Sequence, residues 1–333
     1  MYQLKNSTSR LWPSWRKGEE QVERKSTREA FGQAILELAR EREDIVCAAA
    51  DTSKSMGFGP IMKEFPHRVF DVGITEQNMM MVASGLASTG KTVFAASYAV
   101  FTCMRALEEV RTFIAYPKLN VKIGGGMAGL SGAEEGVTHQ GIEDVAIMRA
   151  IPNMAVFVPA DAVATKEVVR AAVKWDGPAY IRLGRAPSPV FFAHGYHFEI
   201  GKANLLYNGG TDATIIVMGV LVGRALEAAQ ALAQDNVNVR VLEMPSVKPL
   251  DTDAVIRAAR ETGAIVTFEE HTIMGGLGSA VAEVLVENNP VPMQRLGIMD
   301  TFGESAPQDD LLDAYGLTAP RVVQAVKDVV RRK

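Results

Sequence analysis

The sequence predicts an α/β protein of two successive doubly wound domains, a mainly parallel-sheet first domain and a smaller second one. Short, uniformly apolar runs alternate with longer stretches of helical periodicity, the mark of a parallel sheet covered by helices on both faces. That alternation breaks near Pro187 and Pro189 and resumes at Ala213. A chain of 333 residues, 47% hydrophobic, is long enough for two cores of this kind.

Residues 1–25 form an N-terminal extension of mixed charge that holds Trp12 and Trp15, so it is either a disordered leader or a segment that packs on another subunit. The first domain runs over 26–190. Thr27 caps a helix whose apolar face carries Ala30, Ile35, Leu36 and Leu38. The run 45–50 is an all-apolar strand that ends at Asp51. A strand-like stretch, 68–70, leads into Asp71-Val72-Gly73-Ile74-Thr75-Glu76-Gln77-Asn78 and then an apolar helix over 79–86. Further strands fall at 92–95, 121–123, 155–158 and 179–181. Residues 191–208 are expected to be a linker. The second domain spans 209–333, with strands at 213–217, 239–242 and 264–268 and helices around 221–233 and 251–262.

Composition narrows the function. The formal net charge is −4 with no basic stripe, which argues against nucleic acid as a partner. No apolar run reaches the length of a membrane span, and the first residues lack the apolar core of a signal peptide. The two cysteines, Cys47 and Cys103, sit inside apolar runs and read as buried thiols of a reducing, cytoplasmic compartment. His194 and His197 have no third ligand nearby, so no metal site is expected there.

The residues that could carry chemistry gather at strand ends. Asp51, Gly73–Glu76, Ser97–Tyr98, the loop 124–139 and Arg185 all follow predicted strands, which places them along the carboxyl edge of one sheet, where open α/β folds bind ligands. Glu76 opens a helix and complements its dipole, whether or not it does more. Tyr98 and Phe101, three residues apart at the start of a helix, share a helical face, which suits a core or a ring-binding surface equally. His139 lies in a loop too rich in glycine and acid to be core. The glycines at 124–126 and at 275, 276 and 278 are better explained by tight turns or close packing than by a phosphate cradle.

The runs 71–78 and Glu135-Gly136-Val137-Thr138-His139-Gln140 together resemble the pyrimidine-binding half of transketolase, a thiamine diphosphate enzyme. Residues 213–303 resemble its C-terminal domain, including Lys248-Pro249-Leu250-Asp251 and Glu269-Glu270-His271. The resemblance implies that Glu76 hydrogen-bonds N1′ of the cofactor's aminopyrimidine and drives loss of the thiazolium C2 proton. That chemistry needs Glu76 as a neutral acid near pH 7, a form that a dry apolar pocket favours. His139 would contact donor hydroxyls and move protons. Asp51, Thr52, Tyr98 and Phe101 would line the cofactor, with Met104 where the family has a third ring. Arg28, Ser55 and Arg185 match the family's substrate-phosphate clamp. Met127 stands where that clamp has a histidine, and Glu135 where the family has an aspartate that reads a donor hydroxyl.

No Gly-Asp-Gly run occurs in the chain, although transketolases use one to hold the metal and diphosphate. The resemblance therefore implies an N-terminal partner subunit that binds Mg²⁺ or Ca²⁺ and the diphosphate, in an α2β2 heterotetramer. The implied function is a two-carbon ketol transfer between a ketose (phosphate) donor and an aldose (phosphate) acceptor. The C-terminal part of a deoxyxylulose-phosphate synthase, or the beta subunit of a 2-oxo acid dehydrogenase decarboxylase, shares much of this pattern. A non-catalytic scaffold subunit is disfavoured by the intact Glu76 and His139.

Overall fold

The computed structural model describes residues 23–192 and 195–333; Trp12, Trp15 and His194 lie outside them. In chain order the elements of the first domain are β1 (Arg24–Lys25), α1 (Thr27–Glu41), β2 (Ile45–Ala49), α2 (Gly59–Glu64), β3 (Val69–Asp71), α3 (Glu76–Ser88), β4 (Thr92–Tyr98), α4 (Leu107–Glu109), β5 (Val121–Gly126), α5 (Asp144–Ala150), β6 (Ala155–Phe157), α6 (Ala162–Lys174), β7 (Ala179–Arg182) and β8 (Ser188–Pro189). The second contains β9 (Asn204–Asn208), β10 (Ala213–Val217), α7 (Val222–Gln234), β11 (Val239–Glu243), β12 (Ser246–Lys248), α8 (Thr252–Thr262), β13 (Ile265–Thr272), α9 (Leu277–Asn288), β14 (Met293–Ile298), α10 (Gln308–Ala314) and α11 (Ala319–Val330).

Both domains are α/β, as the apolar runs require. The first sheet has the order β12-β6-β7-β5-β4-β2-β3, parallel except for β12. Every residue of β2 and β5 is buried, because helices cover both faces. The second sheet has the order β14-β13-β10-β11-β9, with only β9 antiparallel. Its helix α11 buries Val322, Ala325, Val326 and Val329, the i, i+3, i+4, i+7 stripe of a core-facing helix. Asp161 and Asp251 cap α6 and α8 by accepting the N–H groups of Ala164 and Ala254 at 2.8 and 2.9 Å. Among the described residues no helix is long and apolar enough to cross a membrane.

Some expectations need correction. The expected linker contains β9, which edges the second sheet by pairing with β11. Its half-buried alternation carries too little apolar signal to stand out. The final residues of the N-terminal extension, Arg24 and Lys25, form β1 against β8. Tyr98 ends β4 instead of opening a helix, since its backbone continues the ladder to Gly126. The strand expected at 264–268 runs on to Thr272, so Glu269, Glu270 and His271 are all strand residues.

The second domain also reaches into the first sheet. β12 pairs antiparallel with β6. Behind it, a buried polar network joins the domains. Arg182 donates to Asp144 at 3.0–3.1 Å and to the Glu270 carbonyl at 2.8 Å, and Tyr180 donates to Asp144 at 2.7 Å.

Candidate active site

β7, β5, β4, β2 and β3 lie side by side and parallel, so their carboxyl ends form one edge. Asp51, Glu76, Tyr98, Met127 and Arg185 are all carried by the segments that leave it. The common edge expected from strand ends alone is present.

Glu76 is the first residue of α3 and only 2% exposed. The turn before it is built by Asp71, whose carboxylate accepts the N–H groups of Asp51 at 2.8 Å and Gly73 at 3.1 Å and the Ser53 hydroxyl at 2.6 Å. Partial burial works to raise the Asp71 carboxyl, but these hydrogen bonds outweigh it and hold the group below its ordinary value. Asp51 itself adopts a left-handed φ of 57°, stabilised by the bond from its N–H. Thr52 is buried and donates to the Ala96 carbonyl at 3.1 Å, tying this loop to β4.

Opposite Glu76 stands a cluster of flat groups. The rings of Tyr98 and Phe101 are 6.0 Å apart, and His139 lies 5.7 Å from the first and 5.4 Å from the second. The next turn, Phe101–Arg105, is π-helical, with the Ala106 N–H reaching back to the Phe101 carbonyl at 3.1 Å. A π turn holds one residue more than an α turn and rotates the residues beyond it. Arg105 thereby lays its guanidinium over Phe101, 4.1 Å from the ring centroid, and donates to Glu76 Oε2 at 2.7 Å. Met104, the residue matched to the third ring, is 37% exposed, and the flat group stacked on Phe101 is its neighbour Arg105. The expected apolar surroundings of Glu76 are thus interrupted by a cation.

The loop after β5 brings the remaining residues to the same edge. His139 Nδ1 is 2.9 Å from the Thr138 hydroxyl, and the backbone N–H of His139 donates to the Gly136 carbonyl at 3.0 Å. Met127 is buried with a left-handed φ of 53°. Arg28 donates to the carbonyls of Ser55 at 2.7 Å and Arg185 at 3.2 Å, and burial lowers the pKa of its guanidinium. The Ser55 hydroxyl donates to the Thr52 carbonyl at 3.0 Å and accepts from Tyr98 at 3.4 Å. Arg28, Ser55 and Arg185 are thus neighbours. The Arg185 guanidinium, however, is paired with Glu135 at 2.9 Å.

The glycine runs serve packing. A Cβ on Gly125 would lie 2.1 Å from the Tyr180 hydroxyl oxygen, and one on Gly276 would lie 2.1 Å from Glu269 Oε2. The close approach at Gly276 lets Glu269 accept the N–H groups of Leu277 and Gly278 at the start of α9. Burial pushes the Glu269 and Glu270 carboxyls up to about 7 and the His271 imidazole down to about 4. His271 accepts the Ala146 N–H at Nε2 (3.3 Å) and faces the Thr272 carbonyl through Nδ1 (2.7 Å), the pattern of a neutral ring that ties the domains together.

Sequence reasoning passed over Asp71 and Arg105. Asp71 begins the run that contains Glu76, and its three acceptor bonds follow from standing beside two turns. Arg105 was hidden by the π turn, which ordinary helical spacing does not anticipate.

A buried carboxylate, a cluster of rings and two neighbouring arginines at one sheet edge of a two-domain α/β chain define a class of ligand site, that of the strand ends of open α/β sheets. The comparisons agree with that class. Residues 23–189 match the transketolase pyrimidine-binding domain, and residues 201–322 match the transketolase C-terminal domain. The chain is 41% identical to the 6-deoxy-6-sulfo-D-fructose transketolase subunit SqwH of Clostridium sp. (strain MSTE9), over 92% of this chain and 95% of that one. It is 39% identical to a subunit of the apulose-4-phosphate transketolase of Phocaeicola vulgatus, over 92% and 97% of the two chains. A solved split gene transketolase, in an inactive beta4 tetramer, superposes with a TM-score of 0.84 at 48% identity, covering 92% of this chain and 98% of its own. The chain belongs to the transketolase family.

Proposed function

We propose that this chain is the C-terminal subunit of a split, thiamine diphosphate-dependent transketolase that moves a two-carbon ketol unit from a ketose donor to an aldose acceptor. The observation that carries the reading is the seat now filled by Arg105. A planar group lies over Phe101 there and is hydrogen-bonded to the buried Glu76, the place an aminopyrimidine would take with N1′ accepting from the Glu76 acid. Glu76 would hold the pyrimidine N1′, with Tyr98 and Phe101 lining its ring and Asp51 and Thr52 framing the loop beside it. Bound thiamine diphosphate supplies the electron sink for carbon–carbon cleavage. His139 would hold donor hydroxyls and exchange their protons, as an imidazole near neutrality can.

The partner would be an N-terminal transketolase subunit carrying Mg²⁺ or Ca²⁺ and the diphosphate site, in an α2β2 assembly. The absence of a Gly-Asp-Gly run and the inactive beta4 state of the split relative support that division. Two free, buried thiols, Cys47 and Cys103, support a cytoplasmic setting. The test is reconstitution. The chain alone should show little heat of binding with thiamine diphosphate and Mg²⁺, and addition of the N-terminal subunit should restore ketol transfer. Turnover by the chain alone, or pyruvate decarboxylation in place of ketol transfer by the complex, would defeat the reading.

A further inference from the structure

At the mouth of the crevice the guanidinium of Arg185 is bound to Glu135, Nη2 to Oε1, at 2.9 Å, with both side chains 35% exposed. Two further features make this contact part of the site's construction. The backbone that presents Glu135 is fixed. Gly136, the next residue, has a φ of 74°, and a Cβ there would lie 2.4 Å from Ser305 Oγ of the second domain. The backbone N–H of His139 closes the same turn by donating to the Gly136 carbonyl. In addition, the second cation of the clamp is already engaged. Both terminal nitrogens of Arg28 donate to backbone carbonyls, one of them that of Arg185. At Met127, where a further donor would be expected, the side chain is an uncharged thioether and 3% exposed. With Arg28 and Arg185 offset by Glu135, and by the exposed Glu29 whose charge also acts on Arg28, the mouth carries at most a single net positive charge.

We infer that Glu135 determines specificity: held against Arg185, it tunes the mouth to a sugar whose remote terminus carries at most one negative charge and disfavours a phosphate. The inference rests on the reading of this chain as a transketolase subunit and deepens it. A phosphate at pH 7 brings a charge of about −1.5 to −2. To reach Arg185 it must displace Glu135 or sit beside it, and a carboxylate beside a near-dianion repels it. A monoanion or a hydroxylated terminus matches the residual charge, and hydroxyls can bond to both members of the pair. Water reaches both side chains, so the discrimination is moderate, about tenfold.

Calorimetry on the full chain with inorganic phosphate and with methanesulfonate reads the effect directly. The wild-type chain should bind phosphate no more tightly than the monoanion. Glu135→Gln should tighten phosphate binding about tenfold and methanesulfonate binding by about threefold or less. Arg185→Ala in the Glu135→Gln background should abolish the gain. In the reconstituted complex, Glu135→Gln should raise the ratio of kcat/KM for a phosphorylated acceptor over its unphosphorylated counterpart about tenfold. Unchanged phosphate binding in Glu135→Gln, or a gain that survives Arg185→Ala, would overturn the inference. A complex that transfers no ketol unit to any acceptor would defeat the functional reading instead, and the calorimetry would still decide the role of Glu135.

Discussion

Glu76→Gln separates the chemistry of the site from its architecture. Gln fills the volume of the carboxylate and still offers an amide oxygen to Arg105, so the 2.7 Å contact loses its charge and keeps its geometry. Glu76 is almost fully buried, whereas the Arg105 side chain is 46% exposed and can turn to water once the charge is gone. The stability cost is therefore that of a half-solvated ion pair, about 1 kcal/mol or less. For a domain of this size that lowers the unfolding midpoint by about 2–4 °C and leaves the chain folded at 25 °C. The cofactor-directed proton, in contrast, is assigned to Glu76, and losing a dedicated acid or base costs about 10²–10⁴ in rate. Deuterium exchange at the thiazolium C2, followed by quenched NMR in the reconstituted complex, should slow by that factor while thermal unfolding of the chain shifts by no more than about 2–4 °C. Exchange at the wild-type rate would refute the role assigned to Glu76. So would a loss of exchange that merely tracked unfolding.

Other predictions concern the buried polar groups. Arg182→Met strips the cation from Asp144 and Glu270 in a fully buried setting, so the unfolding free energy should fall by about 3–5 kcal/mol, read from a urea midpoint. Glu243 is buried, with Tyr196 and Asn204 donating to it at 3.0–3.2 Å, and burial pushes its carboxyl up to about 7 from an ordinary value near 4.5. The folded chain therefore holds a proton that the unfolded chain has released, and the stability from that proton is lost as pH rises from about 4.5 through 7. Glu243→Gln should flatten this fall by up to one proton, about 1.4 kcal/mol per pH unit, in urea midpoints taken between pH 5 and 7.5. An unchanged slope would show that Glu243 is already ionised in the folded protein.

The sheet edge was legible because it depends only on where apolar strands stop. Asp51, Glu76, Tyr98, Met127 and Arg185 could be placed together without knowing any contact between them. The features that lay beyond reach depend on chain crossings and on helical pitch. The return of β12 to the edge of the first sheet pairs residues 246–248 with 156–157, a contact that no local pattern encodes. β9 was absorbed into the linker because its burial is intermediate along most of its length. The pairing of Arg185 with Glu135 links residues fifty apart in sequence, and a motif that treats each as a separate ligand contact gives no reason to join them.

At Arg105 the demands of packing and of chemistry meet in one side chain. A carboxylate buried at a helix start is costly to leave unpaired, and among the described residues one cation stands against it. From the π turn Arg105 reaches Glu76 while placing its guanidinium over Phe101. The contact satisfies the folded chain, yet it occupies the carboxylate that the proposed chemistry needs. A cofactor entering this seat must exchange a charged hydrogen bond for its own, so any gain it makes at Glu76 is reduced by the strength of the bond it displaces. Affinity then has to come mainly from the diphosphate end. If that end is bound by another subunit, the aminopyrimidine becomes competitive with Arg105 only after the two chains assemble, and binding of cofactor is coupled to assembly by the energetics of one residue.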